Sequence, residues 1–345
     1  MLKSLDHKLA KLAQDSTAEE FILADAKDAD MAFGIFPTKS VSDSRHAPHS
    51  VQRYRDAIRE LVEQGLVDIM LMSVSTNESL AIHEKLFDDS SVTPAIRAND
   101  TTDIWLAGTD ASYAGEPSVP FRSALIDHAM CGQIQHERKS QVPGADLGLY
   151  SITLNHRKDL DVATLQAYRD FRAEAEQKGL RHFLEVFPPN ACDTLTSNQI
   201  PRFVNNSIAR ILAGIAQSGR PIFLKIPYFG PRAMEELCSW DSNVVVGILG
   251  GAAGTTFDAF HQLAEARKYG ARVALYGRMI NQSDHQPSFL RQLRALADRQ
   301  TDPATAVREY HSDLAKLKIK PSRSLDDDLM STLKLDGSDK SYDSR

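Results

Sequence analysis

Apolar runs recur along the chain, separated by segments in which apolar residues return at helical spacing. Runs near residues 21, 67, 102, 147, 182, 222, 243 and 271 read as strands. From residue 146 onward the alternation is strict. The strand patterns DLGLYSITLN (146–155), RHFLEVFPP (181–189), PIFLKIPY (221–228), NVVVGILGG (243–251) and ARVALYGRMI (271–280) alternate with helical patterns over 161–179, 202–219, 231–240 and 255–270. Two more helical patterns follow. The earlier half is less regular. A helix is predicted within 1–20, then a strand from Phe21 to Ala24 that turns polar at Asp25. A loop rich in Pro, Ser and His leads to a helix over 51–65 that stops at a glycine. A strand over 67–75, a short helix over 76–87 capped by Thr76 or Asn77, and a strand over 101–109 come next. TPAIRAND (93–100) has no clear period, and 110–146 reads either as an insertion over a strand end or as an irregular helix–loop connection.

These strand patterns are continuously apolar rather than alternating, which suits a parallel sheet covered by helices on its outer side. Eight such units in one chain predict a closed (β/α)₈ TIM barrel over 21–315, with an N-terminal helix (1–20) and a polar, flexible C-terminal extension (316–345). A doubly wound open sheet is the alternative. Against it, AKDADMAFG after the first strand holds a single glycine and no dinucleotide fingerprint.

Composition adds limits. The chain has 345 residues, 42% hydrophobic and 25% charged, with a formal charge of −6. The absence of a long basic run argues against a nucleic-acid partner. Cys131, Cys192 and Cys238 are too few and too scattered for a disulfide framework, so a reducing cytoplasm is the expected setting. No membrane span and no signal-peptide core stand out. The histidines form no HxH or HExxH arrangement, and no metal is expected. A homo-oligomer is expected by analogy with other barrels.

The chemistry gathers where a barrel puts it, at the carboxyl ends of strands. Those ends carry Asp25 and Lys27, Ser73 and Ser75, Asn155 and Arg157, Glu185, Lys225, Gly250 with Gly251, and Gly277 with Arg278. Lys225 lies within an apolar run, and apolar surroundings turn a lysine into an amine nucleophile for Schiff-base chemistry. It also has a plain reading, a strand-end lysine reaching water along its stem. Glu185 precedes it by one strand and is placed either to shuttle protons or to pair structurally. Arg157 is a candidate cation beside the lysine, and Phe223 and Tyr228 are candidate walls. Asp25 is a second acid–base candidate, or else a loop cap or a partner for Lys27. Gly250 and Gly251 before a helix, with Gly277 and Arg278 on the next strand, suit a phosphate shared by strands seven and eight.

These residues resemble the class I aldolases of the deoxyribose-phosphate, archaeal-type fructose-bisphosphate and tagatose-bisphosphate aldolase group. The resemblance runs through about residues 21–285 and is specific at short motifs. LADAKDAD is similar to the first-strand motif and places the acid–base aspartate at Asp25. His182-Phe183-Leu184-Glu185 is similar to the fifth-strand FLE, and Leu224-Lys225-Ile226-Pro227 to the sixth-strand lysine motif. Gly250-Gly251 and Gly277-Arg278 are similar to the phosphate grip. The first-strand motif departs from the family in its Ala-Lys-Asp, and the GGAAGTT turn is not a standard version. The resemblance implies a metal-free, cofactor-free enzyme that cleaves or forms a carbon–carbon bond in a phosphorylated carbonyl substrate, with an imine on Lys225. Other Schiff-base chemistry on the same barrel, such as acyl transfer or dehydration, remains open, as does phosphosugar binding without catalysis.

Overall fold

The computed structural model describes residues 2–15, 17–34, 50–105, 113, 115–134, 142–251 and 254–333. Eight parallel strands close on themselves in sequence order: β1 Ile22–Lys27, β2 Ile69–Met72, β3 Thr93–Arg97, β4 Leu147–Thr153, β5 Arg181–Phe187, β6 Leu224–Ile226, β7 Val246–Leu249 and β8 Val273–Tyr276. The chain folds as the predicted (β/α)₈ barrel. Each strand is buried on both faces, which is why it reads as a continuous apolar run. One set of side chains fills the interior, including Ile22, Ala24, Leu71, Leu149, Phe183, Phe223 and Leu275. The other set, including Leu23, Met70, Ile96, Leu184, Leu224 and Ile248, meets the surrounding helices.

The outer layer includes α2 Val51–Gln64, α3 Lys158–Lys178, α4 Ile200–Ala213, α5 Pro231–Trp240, α6 Thr256–Lys268, α7 Gln286–Ala297 and α8 Pro303–Lys316. The first helix, α1 Ser4–Gln14, sends Leu5 and Leu12 into the interior cluster and so plugs the barrel floor.

Three local expectations change. The third strand is Thr93–Arg97, not 101–109. Pro94 lacks an amide donor, which disguises this segment as a loop. Of 101–109, Asp100–Thr101 forms a two-residue antiparallel pair with Pro120–Phe121, Thr102–Trp105 is a helical turn, and the remainder lies outside the described residues. The first strand does not stop at Ala24 but continues through Lys27. The helix after β2 is capped by Ser73, whose side chain accepts from the Thr76 amide, and it continues as a π-helical turn over Glu78–His83.

Polar composition predicts a loose chain beyond residue 316. Over 317–333 the chain is instead docked on the start of α6. Asp328 is buried and accepts from the Thr256 amide, while Asp258 accepts from Ser331, Thr332 and the Leu333 amide. The predicted loop over 35–49 and the chain end from 334 lie outside the described residues. Among the described residues, no helix is long and apolar enough to cross a membrane.

Candidate active site

Strands β5 and β6 run side by side with Glu185 in register with Lys225. Both residues share the inward face with Phe183 and Phe223, two positions nearer the barrel floor. Those two rings stack at 4.5 Å and form an apolar floor beneath the charged pair. Lys225 Nζ lies 2.5 Å from Glu185 Oε1, with side-chain exposures of 8% and 2%. The lysine is therefore held at the edge of solvent, within reach of a molecule entering the mouth. The other Glu185 oxygen accepts a hydrogen bond from the Ser151 hydroxyl at 2.6 Å.

A second polar cluster rims the same mouth. Arg97, inward-facing at the end of β3, donates to Asp28 Oδ2 at 2.5 Å and pairs with Asp100 at 3.3 Å. Burial works against the Arg97 charge, but Asp28, Asp100 and Glu185 together hold its pKa above the ordinary guanidinium value. Burial pushes Asp100 up to about 6 against the pull of Arg97. Arg278 follows β8 and lies within electrostatic reach of Glu185, and burial lowers its pKa. Its guanidinium packs over the Phe33 ring at 5.7 Å, and among the described residues no carboxylate lies within ion-pair distance.

Lys225 and Glu185 thus lie side by side, with Arg278 within electrostatic reach of Glu185. Asp25 and Lys27 do not join them. Asp25 is in register with Met70 and Tyr276, both on the helix-facing side of their strands. The period of two sends Lys27 the same way, where its ammonium donates to Gln286 at the start of α7. The two form a buried pair at 3.5 Å in the wall, with no exposure on either side chain. Burial raises Asp25 to about 6 and lowers Lys27, each opposed by the other's charge. The acidic residue that β1 sends to the mouth is Asp28, just past the strand end. Arg157 is also remote. It is exposed before α3 and pairs with Asp159 at 3.6 Å, too far out to act on Lys225.

The glycines divide. Gly250 donates its amide to the Leu275 carbonyl, so that group is already used. A side chain there would strike the Tyr276 ring at 2.2 Å. Gly251 has open space around it, and a Cβ on Gly277 would lie 2.8 Å from the Ala26 carbonyl oxygen. The N-terminus of α6, expected to add its dipole to the grip, is filled by the Thr255–Asp258 capping box and by Asp328. What remains of the predicted grip is Gly251, Gly277 and Arg278. Among the described residues, no group of three or more His, Cys, Asp or Glu side chains is arranged to hold a metal ion.

The sequence matches no family model and no curated protein. The fold has many solved counterparts. An archaeal fructose-1,6-bisphosphate aldolase, with its catalytic lysine covalently bound to the carbinolamine intermediate, superposes with a TM-score of 0.59 at 17% identity, covering 84% of this chain and 99% of that one. A Schiff-base-forming fructose-1,6-bisphosphate aldolase gives 0.58 at 16% identity, covering 85% and 99%. A fructose-bisphosphate aldolase from Slackia heliotrinireducens gives 0.61 at 12% identity, covering 89% and 91%. At these identities the likeness establishes a shared barrel fold.

Proposed function

We propose that this protein is a class I aldolase that cleaves or forms a carbon–carbon bond in a phosphorylated ketose or related carbonyl compound, through an imine on Lys225. The observation that carries this reading is the Lys225–Glu185 pair, inward-facing and nearly buried. Glu185 accepts a proton from Lys225, and the freed amine attacks the substrate carbonyl. Glu185 gives that proton to the carbinolamine hydroxyl, which leaves as water while the protonated imine forms, and the carboxylate is free again. Glu185 then removes the proton of the hydroxyl on the carbon β to the imine carbon. The bond between the α and β carbons breaks, its electrons pass to the iminium nitrogen, an aldehyde departs and an enamine remains. Protonation of the enamine and hydrolysis of the imine release the second product and restore the lysine.

Arg278 supports the choice of a phosphorylated substrate, because it is a partly buried cation with no carboxylate within ion-pair distance among the described residues. Gly277 precedes it in the chain, and Gly251, with open space around it, follows β7; glycines there admit close approach of an anion. The fold shared with Schiff-base aldolases fits this reading. The test is aldehyde release from a panel of phosphorylated ketoses and their unphosphorylated counterparts. Turnover restricted to phosphorylated members, abolished in Lys225→Ala and weakened mainly in KM in Arg278→Ala, is the expected result. Equal turnover in Lys225→Ala overturns it.

A further inference from the structure

Glu185 has two donors, and the second is built with unusual care. Ser151 stands opposite Glu185 in the β4–β5 register, and its hydroxyl donates to Oε2 at 2.6 Å while Lys225 holds Oε1. All three side chains are buried or nearly so. Ser151 is itself pinned. The β3–β4 ladder pairs Ala95 to Arg97 with Leu147 to Leu149, so Ser151 lies beyond the end of β3. The missing rung is supplied by the side chain of Asn99, which is fully buried. Its Oδ1 accepts from the Ser151 amide at 2.6 Å, and its Nδ2 donates to the Ser151 carbonyl at 2.8 Å.

We propose that Ser151, clasped by Asn99, is a positioning residue that orients Glu185 for proton transfer at the Lys225 imine. The proposal rests on the Schiff-base reading. In the free protein the ammonium and the hydroxyl share the carboxylate. Once Lys225 is tied up in an imine, its remaining proton is aligned by the substrate, and the Ser151 hydroxyl is left to fix the carboxylate. The charged groups facing Glu185 are Lys225 from β6, Arg97 from β3, Asp100 just beyond it, and Arg278 after β8, with Asp28 held through Arg97. None of these changes when Ser151 is altered, so the serine's effect is separable.

The test uses the full chain and dihydroxyacetone phosphate, a small phosphorylated ketone, as probe. Enamine formation is followed as deuterium exchange from solvent into the carbon beside the carbonyl. Ser151→Ala should lower kcat for exchange about tenfold or more, the size of a lost hydrogen bond to a charged group. KM should stay unchanged. Ser151→Thr, which keeps the hydroxyl, should restore the rate. Borohydride should trap the probe on Lys225 in wild type and Ser151→Ala at the same final yield. Trapping with an undiminished exchange rate in Ser151→Ala, or a Ser151→Thr no better than alanine, overturns the role of Ser151 alone. Failure of wild type to trap the probe overturns the Schiff-base reading, and the serine's role falls with it.

Discussion

Lys27 and Lys225 are both buried lysines beside a carboxylate, and their surroundings give them different work. Lys27 is sealed between the barrel and α7, with Asp25 and Gln286 as its company. Lys225 stands on the inner face with its ammonium at the mouth. No period in the sequence separates the two cases. In a strand buried on both faces, hydrophobicity does not reveal which residues point inward. Asp25 and Asp28 are three residues apart, and only the phase of β1 decides that Asp28 meets Arg97 while Asp25 meets Lys27. Asp25→Asn should therefore keep adduct formation and turnover within about threefold, whereas Glu185→Gln should lose on the order of 10²-fold or more in turnover. A comparison of steady-state rates checks both. Because its folded value of about 6 lies above the unfolded 3.8, Asp25 binds its proton more tightly in the folded chain. Its contribution to stability is full below the unfolded value and is lost as pH rises through about 6. Asp25→Asn should flatten that decline in urea denaturation across pH 4 to 6. Removing Asp25 alone, as alanine, should cost about 3–5 kcal/mol, while the double change Asp25→Leu with Lys27→Met should be close to neutral or stabilising.

At the scale of elements, the second half of the chain was legible because helix and strand alternate cleanly with glycine stops. Gly65 and Gly179 adopt the left-handed conformation and end α2 and α3 where the pattern predicts. The third strand was hidden by Pro94, and the residues after it, Arg97, Asn99 and Asp100, were missed with it. They belong to the site only because the ladder brings β3 beside β4. The C-terminal segment misled for another reason. Many of its polar residues meet the start of α6, where Asp258 alone accepts from Thr255, Ser331, Thr332 and Leu333. Asp258→Ala should free this strap. Trypsin should then cut faster at Arg323 while the barrel stays protected, as peptide mapping over time would show. The floor plug makes a parallel prediction. Leu5→Ala leaves a cavity among interior side chains far from the mouth and should cost about 2–5 kcal/mol in urea denaturation without altering KM.

For the whole molecule, closure of the sheet turns scattered residues into one site. Lys225 and Glu185 are 40 positions apart in sequence yet adjacent by register, and Arg278 reaches the same mouth from β8. The barrel and this trio could be read from strand order alone. The inner arrangement of Ser151, Asn99, Arg97 and Asp28 depends on strand lengths and phase, which appear only once the ring is closed. Lys225 as the imine-forming residue is the centre of the account. The most direct measurement is borohydride reduction in the presence of dihydroxyacetone phosphate, followed by mass mapping of peptides. The expected result is one reduced adduct on the peptide containing Lys225, lost in Lys225→Ala and in Lys225→Arg. An adduct of undiminished yield in either variant, or one mapped to Lys27, would contradict it.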